Sequence, residues 1–276
     1  MKISVLISVY KSEKGAYLDE AINSIWQEQT LKPNEIILVE DGPLTTELYD
    51  VINKWKESLS DSLVIIKNDT NIGLTKSLNK GINIAKYNVI ARMDSDDKAH
   101  PERFAKQIEY LKKHPEISIV GGAIQEFNSE NEHLGVRRYP LTPEAVREYI
   151  YKASPLAHPA VMIRRQIFDD GHRYNEQYRT SQDLALWFDV IKSGYQIANI
   201  EDIVLYFRQD GDIFKRRSKA KANNEFKIYM NGIRRVYGLI TWRYVFPIAR
   251  YLFRLTPVPI LKLIYRSELR NKVLNS

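Results

Sequence analysis

Four short apolar runs, each followed by a stretch of helical spacing, occupy the first 113 residues and set the fold class. Residues 2–10 (KISVLISVY) are rich in β-branched side chains and almost continuously apolar, as a strand buried on both faces must be. Over 17–28, Leu18, Ala21, Ile22, Ile25 and Trp26 then recur at helical spacing. Residues 35–39 (EIILV) and 63–67 (LVIIK) predict two more strands around a helix over 44–56. A helix over 75–85, with Leu78, Ile82 and Ala85 on one side, leads to a fourth strand over 88–92 (NVIAR). This alternation specifies an α/β fold with a mostly parallel sheet and flanking helices, whose ligand site lies at the carboxyl ends of the strands.

The order loosens further on. Pro101 suits the first position of a helix reaching about residue 113, and 117–124 predicts another strand. A helix near 143–151, a strand over 160–163, a helix over 183–192 and strands over 196–200 and 203–207 follow. From Ser218 the pattern is helical to the end, interrupted by Pro247, Pro257 and Pro259. Glycine and proline total only 23 of 276 residues, so disorder and low complexity are excluded. The absence of cysteine removes disulfides, thiol nucleophiles and zinc–thiolate sites together.

The net charge of +7 is unevenly spread. Residues 1–213 carry 26 Lys/Arg against 32 Asp/Glu, a balance of −6, whereas residues 214–276 carry 15 against 2, a balance of +13. In the basic segment aromatic and aliphatic residues alternate with the arginines. It is expected to form an amphipathic helical extension, with Arg250, Arg254, Lys262, Arg266 and Arg270 toward anionic headgroups and Phe253, Leu261, Ile264 and Tyr265 toward the acyl boundary. No nucleic-acid-binding motif is present, so nucleic acid is not the expected partner. No stretch of 18 or more uncharged apolar residues exists, and the N-terminus enters a strand directly, so the expected location is cytoplasmic, peripheral on the inner face of the membrane.

The acidic clusters fall just past predicted strands: Glu40-Asp41-Gly42 after the second and Asp94-Ser95-Asp96-Asp97 after the fourth. Three carboxylates within four residues repel one another unless a cation sits among them, and hard oxygen ligands select Mg²⁺ or Mn²⁺. A solvated acidic turn ahead of the Pro101 helix is the competing reading. Neither a G-x-G-x-x-G nor a G-x-x-x-x-G-K-S/T sequence follows the first strand, which disfavours dehydrogenases and ATPases.

Taken in order, Ile7-Ser8-Val9-Tyr10, Ile37-Leu38-Val39-Glu40-Asp41-Gly42, Asn71-Ile72-Gly73-Leu74 with Asn79 and Gly81, Ala91-Arg92-Met93-Asp94-Ser95-Asp96-Asp97, and Ser181-Gln182-Asp183-Leu184-Ala185-Leu186-Trp187 resemble the family-2 glycosyltransferases of the GT-A fold. The match spans about residues 1–210. The VEDGP stretch ending at Pro43 and the DIFKRR stretch ending at Arg217 resemble the bacterial O-antigen and exopolysaccharide (amylovoran-type) branch. The resemblance implies a GT-A Rossmann-like catalytic domain over 1–213, with a nucleotide-sugar half over 1–100 and an acceptor half over 101–213, followed by the basic extension over 214–276.

The same resemblance implies residue roles. Ser8, Tyr10, Asp41, Arg92 and Asp94 would bind the nucleotide-sugar, Asp41 through the base and Asp94 through ribose or sugar. Asp96 would hold Mn²⁺ or Mg²⁺, and Asp183 would be the catalytic base. His158, Trp187, Arg208, Arg216 and Arg217 are secondary candidates for diphosphate or acceptor. Four of them have a plainer alternative: a structural hydrogen bond for His158, a core position for Trp187, a salt bridge for Arg92 and a helix cap for Asp183. Relatives often end the last strand Tyr-Arg-x-His, but here Phe207-Arg208-Gln209-Asp210 lacks the histidine. The implied activity is inverting transfer of a hexose, Glc or Gal, from a UDP-sugar to a GlcNAc- or GalNAc-diphosphate-lipid, with β1,3 linkage from the narrower branch. The competing class is a non-catalytic peripheral membrane or nucleic-acid binding module on the same sheet.

Overall fold

A computed structural model describes residues 1–128, 130–209 and 219–255. The predicted alternation is present: β1 (Ile3–Val9), α1 (Gly15–Trp26), β2 (Glu35–Glu40), α2 (Thr46–Leu59), β3 (Leu63–Lys67), α3 (Leu74–Ile84) and β4 (Val89–Asp94). There follow β5 (Lys98–Ala99), α4 (Arg103–Lys113), β6 (Ile117–Phe127), β7 (His133–Arg137), α5 (Pro143–Tyr149), β8 (Met162–Arg164), α6 (Gln166–Asp169), α7 (Gln182–Lys192) and β9 (Gln196–Arg208). The helices α8 (Lys219–Tyr237) and α9 (Val245–Leu255) complete the described chain. The strands form one sheet in the order β3-β2-β1-β4-β8-β6-β9-β5, with β7 paired to β6.

The strands β3, β2, β1 and β4 pair in parallel, and β8 inverts the direction between β4 and β6. Because β6 opposes β8 and β9 runs parallel to β6, both point the same way as β1. The carboxyl ends of β1, β2, β4, β6 and β9 therefore share one edge. The amino end of the antiparallel β8, preceded by His158, lies there too. Two strands expected over 196–200 and 203–207 are one. Register shifts opposite Gly122 and Ala123 absorb the break that the polar Glu201-Asp202 pair suggests.

Side-chain alternation along the buried strands divides the core between the two faces. Ile3, Val5, Ile7, Ile36 and Leu38 meet α1, α2 and α4, whereas Leu6, Ile37 and Val39 meet α3 and the layer that contains α7 and α8. α8 belongs to that second core: Ile228, Tyr229 and Ile233 are buried, and a Cβ on Gly232 would stand 2.3 Å from the Phe188 ring.

One expectation for the basic segment is corrected here. Arg250 and Arg254 turn toward the protein, both reaching Glu225, at 3.3 and 2.7 Å. Lys262, Arg266, Arg270, Leu261, Ile264 and Tyr265, like Arg216 and Arg217, lie outside the described residues.

Candidate active site

A cleft of about 570 Å³ opens at the shared strand edge, lined in part by Ser8, Tyr10, Asp41, Asp94, Asp96 and Arg208. Six of the residues singled out in the sequence thus meet in one place. Ser8 and Tyr10 come from the end of β1, Asp41 from the end of β2, Asp94 and Asp96 from the end of β4, and Arg208 from the end of β9.

Asp41 shapes the far wall. Its carboxylate accepts the N–H groups of Ile72 (2.8 Å) and Gly73 (3.0 Å) and the Asn68 amide (3.2 Å). These bonds fix the loop between β3 and α3, where Gly73 adopts φ +89° at the N-cap of α3, a left-handed conformation that favours glycine. Gly42 is constrained twice, by φ +89° and by the Asn71 nitrogen, which stands 2.6 Å from where a Cβ would sit.

The carboxylates of Asp94, Asp96 and Asp97 offer oxygens all within 4.8 Å of one another. Burial, reinforced by Asp94 and Glu13, pushes the Asp96 carboxyl up to about 6. Asp97 is also raised well above the ordinary range, by burial and then by Asp94 and Asp96. One Asp97 oxygen accepts the Arg208 N–H at 2.8 Å, while the other is buried with no partner among the described residues. Crowded carboxylates with an unsatisfied buried oxygen fit a hard divalent cation.

Arg92 is buried at 3% exposure and donates to both oxygens of Asp94, at 2.7 Å in one bond, so it fixes Asp94 from below and does not line the cleft. Beneath it Arg103, fully buried, donates to the Arg92 carbonyl at 2.8 Å. Burial, with Arg92 alongside, pulls the Arg103 guanidinium down to about 9. Sequence reasoning missed Arg103 and also Glu13, which accepts the Ser95 hydroxyl at 2.7 Å. Both belong to segments that reach the carboxylates only through tertiary packing. No spacing in the sequence marks them.

Arg208 requires a correction. Expected to close over a diphosphate, it is 4% exposed and fully engaged: its side chain donates to the Asp96 carbonyl (2.8 Å) and to Glu20 (2.5 Å). The guanidinium lies between the Tyr17 and Phe127 rings, 3.9 and 4.5 Å from their centroids. It is a clamp joining β9 and α1 to the acidic loop.

Asp183 is the second residue of α7, half-buried, behind an N-cap residue, Ser181, held at φ +60° and ψ 25°. Burial pushes its carboxyl up, while the Leu184 N–H and Arg92 oppose the shift and Asp94 adds to it. A carboxylate held above its ordinary value is suited to taking a proton near neutral pH.

His158 is buried, hydrogen-bonded to the Tyr174 hydroxyl at 2.8 Å, and kept neutral by burial with Arg92 nearby. Tyr174 is in turn gripped by Asn79, which donates to its carbonyl at 2.8 Å and accepts its N–H at 3.1 Å. Trp187 is fully buried with its ring 6.1 Å from that of His158, so it fills a core position and presents no surface to an acceptor.

A mostly parallel sheet with flanking helices and a cleft at the carboxyl edge of its strands is the architecture of the GT-A Rossmann-like fold. Residues 4–171 match the model of Glycosyl transferase family 2, and the chain belongs to that family. It is a glycosyltransferase. Amylovoran biosynthesis glycosyltransferase AmsE of Erwinia amylovora is 34% identical over 268 residues, covering 96% of this chain and 98% of its own. The Escherichia coli UDP-Gal:alpha-D-GlcNAc-diphosphoundecaprenol beta-1,3-galactosyltransferase is 29% identical over 273 residues, covering 98% and 97%. Among solved structures, S. aureus TarS 1–349 in complex with UDP superposes with a TM-score of 0.68 at 18% identity, over 99% of this chain and 77% of that one, a likeness of fold.

Proposed function

We propose that the protein transfers a hexose, glucose or galactose, from a UDP-sugar to a GlcNAc- or GalNAc-diphosphate-lipid with inversion, in bacterial surface-polysaccharide synthesis. The observation that carries this reading is the pairing of a crowded carboxylate cluster in the cleft with a separate, raised carboxyl at Asp183. The E. coli relative's name supplies the lipid-diphosphate acceptor, the galactose donor and the β1,3 linkage. Catalysis is assigned to 1–213, with a donor half over 1–100 and an acceptor half over 101–213, and membrane association to 214–276.

In this reading Ser8, Tyr10 and Asp41 receive the nucleotide, Asp41 through the lone pairs its loop contacts leave open. Arg92 orients Asp94 toward ribose or sugar. Asp96, with Asp94 and Asp97 beside it, would hold Mn²⁺ or Mg²⁺, which when bound would supply positive charge beside the diphosphate. Asp183 takes the proton from the acceptor hydroxyl as that oxygen attacks C1 from the face opposite the leaving group. One base suffices for inversion, and no protein nucleophile is required. His158 is neutral and so positions neighbouring groups through Tyr174.

Among the described residues no helix is long and apolar enough to cross a membrane. The proposed location is the inner face of the cytoplasmic membrane. The test is UDP release by purified protein with UDP-Glc, UDP-Gal, UDP-GlcNAc and UDP-GalNAc, a GlcNAc-diphosphate-lipid analogue, and Mn²⁺ or Mg²⁺. The expected result is acceptor-dependent release with UDP-Glc or UDP-Gal that chelator abolishes. Turnover of none of the four donors overturns the reading.

A further inference from the structure

Soluble amphipathic helices normally turn their apolar stripe inward and their charges outward. α9 does the reverse. Its inward side carries the buried Pro247, with Arg250 and Arg254 on Glu225 and the Arg250 guanidinium 5.5 Å from the Tyr229 ring centroid. Val245 and Ile248, on its outer face, are 63% and 43% exposed. The turn that feeds this helix adds Leu239 at 71%, Ile240 at 99% and Trp242 at 60%. Trp242 is anchored on one side against Tyr151 and Phe246, each 5.7 Å away between ring centroids. Five large apolar side chains within ten residues thus face outward from a backbone that interior contacts hold in place.

We propose that this Leu239-to-Ile248 surface is where the enzyme enters an anionic bilayer, its apolar side chains at the acyl boundary and Trp242 at headgroup level. Charge selects this occupant over a second copy of the chain. Residues 219–255 carry eight Lys/Arg, of which Arg235, Arg243, Arg250 and Arg254 pair with three acids, Asp189, Glu148 and Glu225, so that eight cations against three acids leave a balance of +5. Two such faces repel one another, whereas an anionic leaflet attracts them. Arg234 adds an exposed cation on the last turn of α8, the helix that leads into the apolar turn. The inference rests on the proposed lipid-linked acceptor only in naming a bilayer, and it moves the insertion surface from the C-terminal residues suggested by composition to a turn and helix with defined packing.

The test is flotation of the full-length protein with phosphatidylglycerol/phosphatidylethanolamine vesicles against phosphatidylcholine vesicles, without substrate. Binding is expected to the anionic vesicles, with a blue shift in tryptophan emission that Trp242→Phe removes. The double variant Ile240→Glu, Ile248→Glu is expected to bind at least tenfold more weakly. Its thermal melt and its transfer to a detergent-soluble acceptor analogue should stay unchanged, which separates a surface effect from misfolding. Equal vesicle binding by wild type and variant overturns the proposal. So does a wild-type dimer that the variant dissociates, or binding lost only on removal of residues 256–276. Vesicle binding without turnover of any UDP-sugar removes the proposed reaction and leaves the surface standing.

Discussion

The donor and acceptor halves proposed for the active site are assembled by different means. In the donor half, parallel strands deliver Ser8, Asp41 and Asp94 to one edge because every strand that carries them ends there. Topology alone places them, and local detail only trims the fit. In the acceptor half the residues hang on individual contacts. His158 is placed by Tyr174 and Asn79, and Asp183 by a left-handed residue before its helix, while Arg208 reaches across from β9 to clamp the acidic loop of the donor half. A site built by topology tolerates substitution of its supports, whereas one built on single contacts does not. Substitutions in each half test that contrast.

The largest effect is expected at Asp183. Replacing it with Asn removes the proposed base while keeping size and hydrogen bonding, and a positioned general base contributes about 10²–10⁴-fold. Transfer should fall by that factor, with UDP affinity nearly intact because Asp183 does not line the nucleotide cleft. Kinetics with isothermal titration of UDP would read both. Turnover within threefold of wild type would remove Asp183 from the mechanism.

Next in size is the pH response of the donor half. Asp96 titrates at about 6 in the folded protein against an ordinary 3.8. The folded state therefore holds this proton more tightly than the unfolded state. The stabilisation it provides is complete below pH 3.8 and is lost as pH rises through about 6. Two pH units correspond to at most about 3 kcal/mol, so in chelator at pH 7.5 the ionised cluster destabilises the fold. Asp96→Asn should raise the melting temperature there by several degrees and give little gain near pH 4. Mg²⁺ or Mn²⁺ should stabilise the wild type and leave the variant unmoved. A gain independent of pH would show that crowding of charge is not what the cluster stores.

Arg208→Met tests the clamp on the acidic loop. Losing the guanidinium frees Glu20 and the Asp96 carbonyl, and outer-shell changes of this kind typically weaken metal affinity by about 10–100-fold. The cation concentration for half-maximal activity should rise accordingly while UDP affinity changes less. An unchanged cation requirement would make Arg208 a support for β9 alone.

Legibility in the sequence follows the same division. Continuous apolar runs such as 35–39 and acids immediately after them mark both a buried strand and its edge, so the donor half could be read from pattern. Arg208 reads as a cation after a strand, which suggests a phosphate ligand; that Glu20, Tyr17 and Phe127 surround it is set by contacts from α1 and β6, remote in the chain. Trp187 stood on the Asp183 helix, yet only packing against His158 decides that it faces inward. The two-residue β5 is too short for a period, β7 is exposed along its whole length and so has no apolar alternation to read, and Glu13 and Arg103 carry no motif.

The smallest effect, and the finest test of the comparison, lies at Ser181. Its φ of +60° is held although its side chain makes no capping bond, so the site needs the backbone shape and not the hydroxyl. Left-handed geometry in a residue with a Cβ costs about 1–2 kcal/mol, and glycine removes that strain while adding backbone entropy to the unfolded chain. The two nearly cancel, so Ser181→Gly should leave the melting temperature within a degree or two and keep kcat. Ser181→Val meets the full steric penalty of a β-branched residue at positive φ. It should lower stability by about 1–2 kcal/mol and depress kcat more than KM, because relaxation of this residue tips the first turn of α7 and moves Asp183 off line. Equal behaviour of the two variants would mean that the turn is not what aims the base, and the acceptor half would then be as tolerant as the donor half.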